Sequence, residues 1–293
     1  MNIKIIGNGV WGNAIYSVVK RNCPTVSIVK RKEKIVDWDV IILSVPTQSI
    51  RESIANISSN QKHGVIVNTS KGIEKSSHLL PYQIVRSVFG DDVDYYTLIG
   101  PSHAKEVVEK VPTLVNLGYA KKGANNKTIR NLFQTNFFRV KLTAGVEILE
   151  LAGAFKNIYA IASGIAYGLD FGANTRAKII VLAIDEMNKL FKALNLRNDS
   201  SKTCGTIGDL ILTCNLTESR NFTFGELLTK YNVEESLSKI KSTVEGYYSV
   251  FSLKHFEKRA NMKLPLANFI LSVVKMDNPK KIKRQFERFL SLI

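Results

Sequence analysis

Ile3-Lys4-Ile5-Ile6-Gly7-Asn8-Gly9-Val10-Trp11-Gly12 decides the fold. A short β-prone run feeds directly into Gly-x-Gly-x-x-Gly, and Asn13 to Lys20 is compatible with a helix. Each glycine has its own task. Gly7 permits the tight turn out of the strand. Gly9 has no Cβ, so a pyrophosphate can approach the backbone. Gly12 lets the helix pack closely on the strand. The helix N-terminus adds unpaired N–H groups and a partial positive charge that suit phosphate. The strand-before, helix-after context predicts a dinucleotide site formed by Gly7, Gly9, Val10, Trp11 and Gly12.

Working outward, the first part of the chain alternates β-prone runs with helix-compatible segments. Strands are predicted at Ile3–Ile6, Val26–Val29, Val40–Ser44, Val65–Asn68, Tyr96–Ile99, Thr113–Leu117 and Phe138–Leu142. Near-continuous apolar runs such as Val40-Ile41-Ile42-Leu43 suit a parallel sheet buried on both faces. The alternation predicts a Rossmann-like, doubly wound α/β fold. Near Thr143 the period changes. Val146, Leu149, Gly153, Lys156, Ala160 and Gly164 would share one side of a helix. Ala173 to Leu194, Leu227–Leu228, Val244–Leu253 and Leu264–Val274 also read as helical. The expected division is a dinucleotide-binding domain over 1–142 and an all-α substrate-binding and catalytic domain over 143–293.

Composition narrows the function class. Hydrophobic residues make up 45% and charged residues 23% of 293 residues, which is ordinary for a globular protein. The longest apolar stretch, Ala152 to Leu169, is interrupted by Lys156 and Asn157, short of the roughly 20 residues that span a bilayer. The chain starts at once with a strand, without the pattern of a secretory leader. Cys23, Cys204 and Cys214 form no disulfide framework and no Cys-x-x-Cys pair, so a reduced, cytoplasmic setting is expected. The net charge of +16 comes from basic residues spread along the whole chain. Its densest cluster, Lys280-Lys281-Ile282-Lys283-Arg284, reads as the solvated face of an amphipathic C-terminal helix. Nucleic acid is therefore not the expected partner. His63, His78, His103 and His255 show no metal-ligand spacing, and no metal is implied.

The cofactor form is read after the second strand. An acidic residue about 20 positions beyond the glycines bonds the ribose 2′-hydroxyl of NAD, whereas an arginine suits a 2′-phosphate. This chain has Val29-Lys30-Arg31-Lys32, with no carboxylate among those four residues. Arg31 and Lys32 favour NADP(H), with NAD(H) the alternative. The connection onward to the next strand is short, so the usual intervening strand and helix are expected to be pared down.

Further motifs follow in a fixed order. They are Asn68-Thr69-Ser70-Lys71-Gly72, then Gly100-Pro101-Ser102-His103-Ala104, Gly153-Ala154-Phe155-Lys156-Asn157, Ile207-Gly208-Asp209-Leu210, Glu218-Ser219-Arg220-Asn221 and Val244-Glu245-Gly246. The first two fall at the carboxyl ends of strands, where open α/β sheets bind ligands. In this order, over residues 3 to about 270, the chain resembles the bacterial-type NAD(P)-dependent glycerol-3-phosphate dehydrogenases. The resemblance implies a 6-phosphogluconate-dehydrogenase-like fold and a cytoplasmic homodimer. It also implies reversible reduction of dihydroxyacetone phosphate to sn-glycerol 3-phosphate for phospholipid synthesis.

That reaction sends hydride to a carbonyl carbon and leaves an alkoxide, so a proton donor and positive charge must face the oxygen. Lys156 interrupts an apolar stretch, where desolvation should lower its pKa toward a working value. By resemblance it is the catalytic lysine and Lys71 the second lysine near the reacting centre. Asp209 would pair with Lys156, bond a substrate hydroxyl or cap the helix after it. The arginine fork matches phosphate oxygens, and the resemblance gives Ser219, Arg220 and Asn221 the substrate phosphate. Gly100, Ser102, Asn157 and Thr213 complete the substrate lining. Lys71, Ala104, Arg220, Thr243 and Glu245 join the cofactor contacts, Glu245 near the nicotinamide end.

Two departures stand out. The family's Gly-Leu-Gly-Asp is here Thr206-Ile207-Gly208-Asp209, and a β-branched residue at a glycine position should tighten the loop. Phe222-Thr223 follow Ser-Arg-Asn where the family has basic residues. A related reductase acting on another phosphorylated or carboxylated hydroxy compound is the alternative. A non-catalytic nucleotide sensor is opposed by the retention of both Lys156 and Asp209.

Overall fold

The computed structural model of the chain describes residues 1–29, 33–55, 57, 64–121, 123, 125–196 and 200–292. The first part is a seven-stranded sheet of β1 (Ile3–Ile6), β2 (Ser27–Val29), β3 (Val40–Leu43), β4 (Val65–Asn68), β5 (Asp94–Ile99), β6 (Thr113–Tyr119) and β7 (Phe138–Ala144). Its spatial order is β2-β1-β3-β4-β5-β6-β7. Around it lie α1 (Val10–Val19), α2 (Ile50–Ile54), α3 (Pro81–Phe89), α4 (Ala104–Val108) and α5 (Asn125–Phe133).

The expected doubly wound α/β sheet is parallel at every junction but one. β5 and β6 pair antiparallel, with Ile99 opposite Asn116, while all other neighbours are parallel. The segment between them carries only the short α4. It does not bring the chain back across the sheet, as a parallel crossover requires. Between β2 and β3 the pared connection appears as an isolated parallel bridge, Ile35 to Ile57. α1 starts at Val10, ahead of the expected Asn13. β7 runs to Ala144, so the change of period falls at Gly145 and not at Thr143.

The glycines of the first turn are required by geometry. Gly7 has φ +117°, a region that L side chains rarely adopt, and a Cβ on Gly12 would lie 1.9 Å from the Gly7 carbonyl oxygen. Replacing either would push α1 off the sheet.

The second part is helical. α6 (Val146–Gly168) and α7 (Ala173–Ala193) are followed by α8 (Asp209–Asn215), α9 (Arg220–Leu228), α10 (Val233–Ser238) and α11 (Glu245–Ser249). α12 (Leu253–Ala260), α13 (Pro265–Met276) and α14 (Pro279–Ser291) complete it. α6 is its axis. The sequence suggested one special side, but every residue from Ile148 to Ala166 is buried. A helix that is apolar all round belongs inside a protein or a bilayer. By length and composition α6 would cross a membrane; its apolar window is wholly enclosed by protein. α14 buries Ile282 and Phe286 and leaves Lys280, Lys281, Lys283 and Arg284 exposed, as its amphipathic pattern predicts.

Candidate active site

The carboxyl ends of β1, β3, β4 and β5 converge on one side of α6. With the starts of α8, α9 and α11 they enclose a cleft of about 680 Å³. Gly9, Val10 and Trp11 form one end. Thr69, Ser70, Lys71, Ser102, His103 and Ala104 follow the ends of β4 and β5. Lys156, Asn157, Asp209, Thr213, Arg220, Asn221 and Glu245 come from the helices, with Ser219 and Thr243 just ahead of α9 and α11. Residues far apart in sequence thus meet because β4, β5 and α6 all present their chemistry at one edge.

Asp209 is the electrostatic centre. It is 2% exposed, and each of its oxygens takes one lysine: Lys156 Nζ lies 2.8 Å from Oδ1 and Lys71 Nζ lies 2.7 Å from Oδ2. Lys156 also donates to Thr213 Oγ1 at 2.7 Å, and Lys71 to the Gly100 carbonyl oxygen at 2.9 Å. Each ammonium has three N–H groups, so among the described residues each keeps one donor for a ligand. Burial pulls the Lys156 pKa down to about 8, against the opposing pull of Asp209. Two cations on one carboxylate leave a net positive charge in a nearly dry place, where it acts strongly on a developing anion.

The segment before Asp209 explains how its carboxylate is aimed. Cys204–Gly208 forms a single π-helical turn leading into α8. Such turns are rare and concentrate at functional sites. Thr206, the residue that departs from the glycine pattern, closes this turn. Its hydroxyl accepts from the Thr203 N–H at 2.9 Å and donates to the Ser201 carbonyl oxygen at 2.7 Å. The Gly205 N–H donates to Asn116 Oδ1 at 2.7 Å, tying the turn to β6. The expected tightening is therefore a specific set of hydrogen bonds. The capping role considered for Asp209 is corrected: Gly208 holds the cap position, and both Asp209 oxygens face lysines.

Two asparagines build the frame. Asn157 Nδ2 donates to the Lys71 carbonyl oxygen at 2.8 Å. Asn221 Nδ2 donates to Asn157 Oδ1 at 3.0 Å, and Asn221 Oδ1 accepts from the Gly246 N–H at 2.8 Å. β4, α6, α9 and α11 are thereby pinned together around the cleft. Arg220 stands exposed at the rim and donates to the Thr243 carbonyl oxygen at 3.1 Å. Ser219 sits at the cap of α9 with no side-chain capping bond, so the first N–H groups of α9 are open beside the guanidinium. Helix N–H groups and an arginine together suit an anion.

A cofactor with a pyrophosphate fits the other end. A Cβ on Gly9 would meet nothing within 4 Å, so the backbone there borders open space at the α1 N-terminus. Glu245 Oε1 accepts from the Thr47 N–H at 2.8 Å, and Glu245 Oε2 and Thr47 Oγ1 are buried against Gly72. Burial pushes the Glu245 carboxyl up to about 7.

Among the sequence-predicted residues, Gly7 and Gly12 lie beneath the turn and shape it, and Gly100 contributes the carbonyl that holds Lys71. Arg31 and Lys32 lie outside the described residues. Cys214 is buried beside Lys156 and its thiol is pushed up to about 12 by burial, which leaves it unreactive. Sequence reasoning missed Thr47, Asn68, Asn116 and Glu150. A signal existed for Glu150: it is a charged residue between Leu149 and Leu151, just ahead of the apolar run that holds Lys156.

The description "NAD-dependent glycerol-3-phosphate dehydrogenase N-terminus" fits residues 32–125, and the matching C-terminus description fits residues 145–283. A glycerol-3-phosphate dehydrogenase (NAD(P)+) of Staphylococcus haemolyticus is 34% identical over 83% of the chain and 74% of its own length. One from Halalkalibacterium halodurans is 30% identical over 93% and 89%. The crystal structure of glycerol-3-phosphate dehydrogenase from Coxiella burnetii superposes with a TM-score of 0.87 at 25% identity, covering 98% of each chain.

Proposed function

The chain belongs to the NAD-dependent glycerol-3-phosphate dehydrogenase family, and we propose that its cleft reduces dihydroxyacetone phosphate with Lys156 as the proton donor and NADPH as the preferred reductant. It is an NAD(P)-dependent oxidoreductase interconverting dihydroxyacetone phosphate and sn-glycerol 3-phosphate. The observation that carries the residue assignment is the bridge of Asp209 between Lys156 and Lys71 in one enclosed cleft.

Gly9, Val10, Trp11 and the first turn of α1 would hold the pyrophosphate, with Ala104, Thr243 and Glu245 toward the nicotinamide. When bound, the cofactor supplies hydride to the substrate C2. The C2 oxygen gains the electron pair of the carbonyl π bond. Lys156 Nζ passes a proton to that oxygen and becomes a neutral amine, recharged from solvent. Asp209 and Thr213 fix the direction of the Lys156 ammonium before the step, so little reorganisation is needed as charge develops. Lys71 adds its charge from the other side of Asp209. Ser102 and Asn157 complete the polar lining. Arg220, with Ser219 and the first N–H groups of α9, takes the substrate phosphate.

Arg31 and Lys32 support the NADPH preference by their charge, and Glu33 beside them is the carboxylate that would instead favour NADH. The product would feed phospholipid synthesis, and the resemblance supports a cytoplasmic homodimer. The test is substrate selection. Turnover of NADPH with dihydroxyacetone phosphate should far exceed turnover with unphosphorylated dihydroxyacetone or with 2-keto acids. A preference for a keto acid would replace this reading with that of a related reductase.

A further inference from the structure

Glu150 is fully buried in α6, six residues ahead of Lys156, and the mechanism above does not use it. Oε1 accepts from Asn68 Nδ2 at 3.1 Å and from the Tyr95 hydroxyl at 2.5 Å, and Oε2 accepts from the Tyr82 N–H at 2.9 Å. Among the described residues no cation pairs with it. Its surroundings lower its pKa only through hydrogen bonds, and burial pushes it up to about 7. A carboxyl kept at such a cost in an apolar helix, where a leucine would pack, calls for a purpose.

Its contacts lead to Lys71. Asn68 ends β4 and grips Ser70 at both backbone atoms: the Ser70 N–H donates to Asn68 Oδ1 at 2.8 Å, and Asn68 Nδ2 donates to the Ser70 carbonyl oxygen at 3.0 Å. The next residue is Lys71, whose own carbonyl oxygen is held by Asn157, also from α6. One helix thus holds this stretch of backbone at two points, Ser70 through Glu150 and Asn68, and Lys71 through Asn157. Lys156 projects from the same helix, so the spacing of the two lysines about Asp209 is set by a single rigid element.

We infer that Glu150 is a positioning residue for the reduction: by orienting Asn68 it fixes the backbone that presents Lys71 to Asp209 and to the substrate. Neither residue touches substrate. Asn68 has donors and an acceptor that would otherwise be free to flip. Because Glu150 Oε1 accepts from it, the side of Asn68 that faces Glu150 is its NH2 group, which leaves Oδ1 for the Ser70 N–H. The inference rests on the proposed role of Lys71.

The experiment is a double-mutant cycle on the full chain, with kcat for dihydroxyacetone phosphate as the readout. Glu150→Gln should lower kcat by about ten- to a hundredfold through misplacement of the lysine, with KM for NADPH within about twofold. In a Lys71→Ala background the same substitution should cost nothing further, because the group it positions is gone. A merely structural role would give multiplied losses, and that result, or unchanged kcat in Glu150→Gln, overturns the inference. Asn68→Ala, which cuts the link and leaves Tyr82 and Tyr95 on Glu150, goes through the same cycle and decides the matter if Glu150→Gln does not fold. Full activity of Lys71→Ala alone would remove the role of Lys71 and this inference with it. A deficient Lys71→Ala with multiplied losses would remove this inference only.

Discussion

Lys156 Nζ and Asp209 Oδ1 stand 2.8 Å apart, and both side chains are almost wholly withdrawn from water. The other oxygen of Asp209 carries Lys71 at 2.7 Å. Removing the carboxylate leaves two ammonium groups facing each other in a dry cleft. Loss of one partner of a buried pair costs about 3–5 kcal/mol. Asp209→Ala should therefore lower both stability, read by urea unfolding, and kcat. A stable Asp209→Ala with impaired kcat alone would mean that water or substrate, and not Asp209, compensates the lysines.

The position of the Lys156 pKa fixes the sign of the pH dependence. Reduction needs the ammonium, so kcat/KM for dihydroxyacetone phosphate should be flat at low pH and fall as pH rises through about 8. Oxidation of sn-glycerol 3-phosphate needs the neutral amine and should rise through the same region. Steady-state rates in both directions on either side of that pH check it. Two profiles moving in the same direction would exclude Lys156 as the shared acid and base.

Arg220 should serve the phosphate. Arg220→Ala should lose much kcat/KM toward dihydroxyacetone phosphate and far less toward dihydroxyacetone, since remote binding energy counts only when the phosphate is present. Free phosphite should activate dihydroxyacetone reduction more in the wild type than in the variant. Equal proportional losses on both substrates would leave Arg220 as a cofactor or framework residue.

Arg31 should set cofactor choice. Arg31→Asp places a carboxylate where a 2′-phosphate would sit. The ratio of kcat/KM for NADPH over NADH should fall at least about tenfold, or ~1.4 kcal/mol. An unchanged ratio would move recognition to Lys30 or Lys32.

The elements that were legible in the sequence share a cause. β1, the glycine turn and α1 are encoded locally, by apolar run, glycine spacing and helix start, and they stand where predicted within a few residues. Lys156 was legible as a charged residue in an apolar stretch, and Lys71 and Asp209 through the order of motifs that carries the resemblance. What pairs them was not. Lys71 and Asp209 are 138 positions apart, and no local pattern shows that one carboxylate serves two lysines. The antiparallel β6 was hidden because its apolar pattern does not depend on direction. α6 misled because a helix buried all round has no distinctive face. Asn68 and Asn116 carry neither charge nor periodicity, and only the packed structure reveals their bonds to Ser70 and Gly205.

The central claim is that Lys156 gives the proton to the C2 oxygen of dihydroxyacetone phosphate. The most direct measurement is kcat for NADPH oxidation with dihydroxyacetone phosphate in Lys156→Ala, without and with added methylamine, alongside direct NADPH binding. Loss of a positioned acid costs about 10²–10⁴-fold, so kcat should fall by that order while NADPH binding persists. Methylammonium, entering the space left by the side chain beside Asp209 and Thr213, should restore part of the rate in proportion to its concentration. A variant that turns over at the wild-type rate, with no response to methylamine, would contradict the account.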